Sequence, residues 1–173
     1  MPHPTTIPKD NPVQTVNRKM NPSKRTIKYI VIHCTAGWQN EPTKDVLAHF
    51  RSLGWKNNGY HFLISADGNI EQITHLDTVA NGVSGFNSNS IHISYKGGVE
   101  KKDGKITAVD NRTDAQKQAL TAIIKALKAL HPQAVIKGHR DFSPDKNKNG
   151  KIDTWEYIKM CPCFDAMVEY KNL

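Results

Sequence analysis

No run of apolar residues in the 173-residue sequence extends beyond a few positions, Ile30-Val31-Ile32 being typical. No segment therefore approaches the ~20 apolar residues that a membrane-spanning helix needs. The opening, MPHPTTIPKDNPVQTVNRKMNPSKRT, lacks both an apolar h-region and a small-residue cleavage site. It does not read as a secretory signal, so the expected place of synthesis and retention is the cytoplasm, with action elsewhere only after release. Cysteine is scarce. Cys34, Cys161 and Cys163 are too few, and odd in number, for a disulfide framework, which turns attention to metal or thiol chemistry. Residues 1–26 contain no Phe, Tyr or Trp on which a base could stack, so a nucleic-acid partner is not expected. The sequence has no internal repeat.

What remains is an ordinary globular composition: 38% hydrophobic, 23% charged and 8% aromatic residues. At this length one compact domain with a real core is expected. The 24 Lys+Arg against 16 Asp+Glu give a formal charge of +8, a balance that favours an anionic partner without naming it. Residues 1–26 read as a basic, Pro- and Asn-rich arm, and residues 27–173 as the folded domain. Within it, residues 28–33 form a short β-branched apolar run, read as a buried strand ending at His33. Residues 43–53 place Val46, Leu47 and Phe50 at helical spacing and stop at Gly54. Residues 59–65 are a second strand, turned by Asp67-Gly68 into Ile70-Glu-Gln-Ile73. Residues 90–95 alternate as a third main strand. Thr113-Asp-Ala-Gln116 is a capping box that opens a long helix closing before Pro132. Ala134-Val-Ile136 is a strand running into Gly138-His139-Arg140-Asp141. Short helices are predicted around residues 155–159 and from Phe164 onward.

Two histidines, His33 and His139, thus fall at strand ends far apart in sequence, which invites a shared site. A catalytic zinc ion takes three protein ligands from His, Cys and carboxylate and leaves a position for water. His33, His139 and one of Cys161 or Cys163 fill that pattern. A second pattern lies in the loop before the cysteines. Asp145-x-Asn147-x-Asn149-Gly150-x₅-Glu156 fits a calcium loop in which Asp145, Asn147, Asn149, the Lys151 carbonyl, Asp153 and Glu156 ring one Ca²⁺. The competing reading is an Asx-rich loop bonded to its own backbone, with Lys146, Lys148 and Lys151 opposing a cation.

Four segments taken together, Tyr29-Ile-Val-Ile-His33-Cys-Thr-Ala36, Gly59-Tyr60-His-Phe-Leu-Ile64 with Asp67-Gly68, Gly138-His139-Arg140-Asp141 and Lys159-Met-Cys161-Pro162-Cys-Phe164-Asp165, resemble the zinc-dependent N-acetylmuramoyl-L-alanine amidases of the phage-lysozyme and peptidoglycan-recognition type. They occur in the family's order and span most of the chain. The resemblance implies a single α/β domain with a central mixed β-sheet flanked by helices. It implies hydrolysis of the amide between N-acetylmuramic acid and L-alanine in peptidoglycan, in the manner of a phage or prophage endolysin acting on the cell wall as a monomer. Carried over, it makes His33, His139 and Cys161 the Zn²⁺ ligands, leaves Cys163 on a variable position, and gives Tyr60 and Lys159 the catalytic roles. The chemistry is coherent, because a lysine beside the metal can stabilise the oxyanion and a tyrosine can orient the attacking water. One departure stands out: relatives carry a histidine in the stretch that here reads Ala80-Asn81-Gly82-Val83. His61 falls on the strand face opposite Tyr60. The alternative is a non-catalytic peptidoglycan-binding module, which the ligand trio argues against.

Overall fold

The computed structural model describes residues 20–173. Most of the proposed arm lies outside them. Its last residues lie on the domain: Arg25 donates from Nε to the Leu76 carbonyl (2.8 Å) and from Nη2 to that of Ser90 (3.1 Å).

The elements run β1 (Tyr29–Cys34), α1 (Thr43–Ser52), β2 (Phe62–Ile64), β3 (Ile70–Gln72), β4 (Ser90–Tyr95), β5 (Val99–Lys102), β6 (Lys105–Ala108), α2 (Asp114–Leu130), β7 (Val135–Gly138) and α3 (Ala166–Glu169). Five strands form one mixed sheet in the order β3-β2-β4-β1-β7. Within it β2, β4, β1 and β7 pair in parallel, and only β3 returns antiparallel, through the Asp67-Gly68 turn. The architecture matches the mixed-sheet α/β expectation.

The two-residue period of a strand divides each face of this sheet. Ile30 and Ile32 of β1, Ile64 of β2 and Ile91 and Ile93 of β4 point to one side, where α2 covers them with Ala119, Leu120, Ile123, Ile124 and Leu127. Burial of these branched side chains, at about 25 cal/mol per Å² of apolar surface, is the main term holding the fold. The helix begins where its capping box predicts. Thr113 Oγ1 accepts from Gln116 N and the Gln116 side chain accepts from Thr113 N, each at 3.0 Å. On the other side Leu63 packs with Val46 and Phe50 of α1. That side also carries His33 and His92, so one face of the sheet is sealed and apolar while the other bears chemistry.

Two expectations need correction, and one element is new. The helix expected around residues 155–159 is only a single 3-10 turn, Thr154–Glu156, and the terminal helix is four residues long, Ala166–Glu169. In both places the chain is fixed by specific polar contacts instead of helical periodicity. Arg112, for example, holds α3 by bonding Asp110 (2.8 Å) and Glu169 (2.9 Å). The β5–β6 hairpin was not anticipated. Val99, Ile106 and Ala108 share one face, but β6 is exposed throughout, so no buried apolar stripe marks it, although Asp103 and Gly104 both take positive φ (49° and 76°), as a tight hairpin turn requires.

Candidate metal centre

Parallel β1 and β7 bring their carboxyl ends side by side, with Ile32 opposite Gly138. His33 sits near the end of β1 and His139 immediately beyond β7, so the topology joins two residues 106 positions apart. Crevices at the carboxyl ends of parallel strands are the usual ligand sites of α/β sheets. The third residue arrives on the loop after the Thr154–Glu156 turn. Its approach is fixed by the Cys161 carbonyl accepting from Arg140 N (2.9 Å) and by the Tyr95 hydroxyl donating to the Pro162 carbonyl (2.7 Å). Gly138 makes room for this segment, since a Cβ there would lie 2.7 Å from Pro162 Cδ.

His33 Nδ1 lies 3.2 Å from His139 Nδ1 and 3.7 Å from Cys161 Sγ. The donor atoms of all three residues fall within 4.8 Å of one another, the one group of its kind among the described residues. Tetrahedral ligands at the usual zinc bond lengths are separated by about 3.3 Å for two nitrogens and about 3.6 Å for nitrogen and sulfur. The donor set therefore fits a tetrahedral cation with three protein ligands. Electrostatics agree. Burial, reinforced by His92, His139 and the Lys159 ammonium, holds the pKa of His33 well below its ordinary value. Burial and Lys159 bring that of His139 down to about 4. At neutral pH both rings offer lone pairs, the form in which histidine ligates. Cys34 N donates to Cys161 Sγ at 3.2 Å, a contact that favours negative charge on the sulfur.

Cys163 is turned elsewhere. With φ at +71° its sulfur approaches Cys34 Sγ (3.9 Å) and the Gly98 carbonyl (3.4 Å). Cys34 is buried beside the centre, as expected of a small packing residue. The neighbouring Cys161 sulfur, and after it burial, push its pKa up, to about 12.

A cleft of roughly 720 Å³ opens over the donors, lined among others by Glu41, His49, Phe50, Tyr60 and Lys159. A second lobe of roughly 500 Å³ shares Trp55, Asn81, Gly82, His139 and Lys159 and continues to Phe142 and Ile158. His139 thus lines both lobes of the groove, while His33 and Cys161 line the larger one. Tyr60 packs its ring 5.1 Å from that of His33, and burial raises its pKa above the usual phenol value, so its hydroxyl stays protonated. Asn81 lines both lobes. His61 is fully buried and lines neither lobe; its ring stacks on that of His92.

The Asp145–Glu156 pattern is closed by its own hydrogen bonds. Glu156 accepts from the amides of Lys146 (2.6 Å), Asn147 (3.2 Å) and Asp153 (2.8 Å). Asp145 accepts from Asn149 and Gly150, and Asp153 from the side chains of Asn147 and Asn149. Lys151 is exposed. This is the Asx-rich loop of the competing reading, and calcium finds no support in it.

Two groups escaped sequence reasoning. Glu41 Oε1 and His92 Nε2 are buried without a hydrogen-bond partner. Neither lies in a recognisable motif, and only the fold places them beside the cleft and the donors.

Fold and donor set together define a class: a one-domain α/β protein carrying a His-His-Cys group that could hold a metal ion at the carboxyl edge of its parallel strands. The family model described as N-acetylmuramoyl-L-alanine amidase matches residues 23–154. An endolysin of Escherichia phage T7 is 33% identical over 138 residues, 79% of this chain and 80% of that protein. One of Enterobacteria phage K11 is 32% identical over 136 residues, covering 78% and 79%. Among solved structures, the amidase LysC of Clostridium intestinale superposes with a TM-score of 0.62 at 23% identity, over 84% of this chain and 82% of that one, a likeness of fold. The chain belongs to the N-acetylmuramoyl-L-alanine amidase family, and it is an enzyme of peptidoglycan hydrolysis.

Proposed function

We propose that this amidase uses zinc, held by Nδ1 of His33, Nδ1 of His139 and the Cys161 thiolate, and that it serves as a phage or prophage endolysin acting on the wall after release. The observation that carries the reading is the convergence of those three donor atoms, with nitrogen and sulfur spacings suited to a tetrahedral ion. Two neutral imidazoles and one thiolate suit zinc over the harder, oxygen-seeking cations. When bound, Zn²⁺ supplies Lewis acidity, polarising a carbonyl and acidifying water toward neutral pH.

The chain's own residues supply the rest. Lys159 projects its exposed ammonium into both lobes of the cleft, where it can donate to the amide carbonyl oxygen as charge builds there. A well-placed donor of that kind contributes about 3 kcal/mol to the barrier. Tyr60, kept protonated by its burial, is a hydrogen-bond donor and a hydroxyl acceptor at neutral pH. It therefore orients the reacting water or the carbonyl and does not act as a base. The larger lobe holds all three donors and the second adjoins it at His139 and Lys159, which leaves room for glycan and stem peptide around the scissile amide. With a formal charge of +8, the surface supplies general attraction to an anionic wall.

Metal analysis of protein purified without added zinc, coupled to muropeptide hydrolysis, tests the reading. Wild type is expected to carry about one zinc per chain, and Cys161→Ala to lose both zinc and cleavage. Full zinc occupancy with undiminished cleavage in Cys161→Ala refutes the ligand assignment.

A further inference from the structure

His92 lies on β4, one step diagonally from His33: His33 pairs with Ser94 and Val31 with His92. Its ring is completely buried, and its Nδ1 is 3.0 Å from His33 Nε2, the ring nitrogen that faces away from His139 and Cys161. The ring is held from both sides. Gly82 lies against it, and a Cβ there would come within 2.3 Å of His92 Nδ1. On the other side His61 stacks almost parallel, with centroids 5.9 Å apart and planes at 16°.

Hydrogen bonds fix the state of that buttress. His92 N donates to His61 Nδ1 (3.0 Å), which places the proton of neutral His61 on Nε2, 2.9 Å from the Thr78 carbonyl and 3.2 Å from Arg25 Nη2. His92 itself is less comfortable. Its Nε2 is buried with no partner, and such orphaned polar atoms are rare enough to need a reason.

The reason lies in the proton positions. A cation on His33 Nδ1 occupies that lone pair, leaving the ring proton on Nε2, where the one neighbour is His92 Nδ1. An N–H to N bond then requires a lone pair on His92 Nδ1, which assigns the His92 proton to its orphaned Nε2. We propose that His92 is a positioning residue for the metal centre, accepting the Nε2–H of His33 and so holding that imidazole with Nδ1 turned toward His139 and Cys161. This rests on His33 being a metal ligand. Outer partners of ligating histidines act in this way, fixing tautomer and ring orientation. The stretch Ala80–Val83, which lacks the histidine of the family pattern, keeps a glycine where the imidazole supplied by β4 needs space.

The test compares zinc affinity by chelator competition and the absorption spectrum of the Co²⁺-loaded protein in four full-length variants. His92→Leu fills the space without an acceptor, whereas His92→Asn places an amide oxygen near the position of Nδ1. His92→Leu is expected to bind zinc about 10- to 100-fold more weakly and to alter the Co²⁺ ligand-field bands, with His92→Asn restoring both to near wild type. Wild-type affinity and spectrum in His92→Leu overturn the proposal, and so does equal weakening in His92→Asn, which would mark a packing role alone. Should His92→Leu fail to fold, His92→Gln replaces it: its longer amide misses the Nδ1 position, and zinc binding as tight as in His92→Asn overturns the proposal. His33→Ala separates the two levels. Loss of metal there with an unaffected His92→Leu sinks only the positioning role, while retention of metal in His33→Ala sinks the ligand assignment and the proposal with it.

Discussion

His61 is fully buried beside His92 with both ring nitrogens engaged, Nδ1 by the His92 amide and Nε2 by the Thr78 carbonyl, with Arg25 Nη2 3.2 Å from Nε2. Burial opposes its protonation and brings its pKa down from 6.5 to about 4. The unfolded chain therefore binds a proton on this residue between those two values when the folded protein does not. Stability is fully present above about pH 6.5 and is lost as the pH falls toward 4. With one proton linked at these two pKa values, the loss between pH 7 and pH 5.5 is about 1 kcal/mol from His61 alone. His139, also brought down to about 4, adds to it in the same direction. The measurement is urea denaturation of metal-free protein at several pH values, because bound zinc would superimpose its own proton linkage. Wild type is expected to lose more than His61→Gln over that interval, by about 1 kcal/mol. A flat wild-type profile from pH 7 to 5.5, or identical slopes in the two proteins, refutes the argument that burial keeps this imidazole neutral.

Lys159→Met keeps the stem of the side chain and removes the ammonium; kcat on muropeptides is expected to fall about 10²- to 10³-fold with zinc content unchanged, and a fall below tenfold removes Lys159 from the oxyanion role. Thr113→Ala deletes the capping acceptor of α2 and the hydroxyl bond to the Ala66 carbonyl. It is expected to cost about 1–2 kcal/mol in thermal or chemical unfolding, with activity per folded molecule retained. Glu156→Gln replaces the carboxylate that accepts three backbone amides; a loss of about 1–3 kcal/mol is expected, equal in calcium and in chelator, and a calcium-dependent difference would restore the cation reading of that loop.

What the sequence could disclose divides by the range of the forces involved. β1, α2 and the Asp67-Gly68 hairpin are written in local periodicity and turn chemistry, and they stand where that chemistry places them. The metal donors were legible for a different reason. His33 and His139 each follow an apolar run at a strand end, and Lys159-x-Cys161-Pro162 carries its own signature although it lies beyond the residues that the family model matches, which end at 154. His92 could not be read this way, because Ser90-Ile-His-Ile-Ser-Tyr95 shows only alternation. A buried histidine on the polar side of that alternation is a packing residue until the register sets it diagonally beside His33. Glu41 is hidden similarly. It stands in a loop between β1 and α1, and only the close approach of its carboxylate to Gly37, where a Cβ would lie 2.5 Å from Oε1, turns it inward to the cleft. Primary ligands must have particular chemistry and so leave particular letters; the residues that aim them need only the right nitrogen or oxygen at the right distance, which several residue types and several strands can supply. A chain that departs from its family in the stretch around Gly82 and still orients His33 through β4 is what that freedom predicts. The zinc affinities of His92→Leu and His92→Asn therefore bear on whether a residue outside every motif can aim a ligand of this candidate centre.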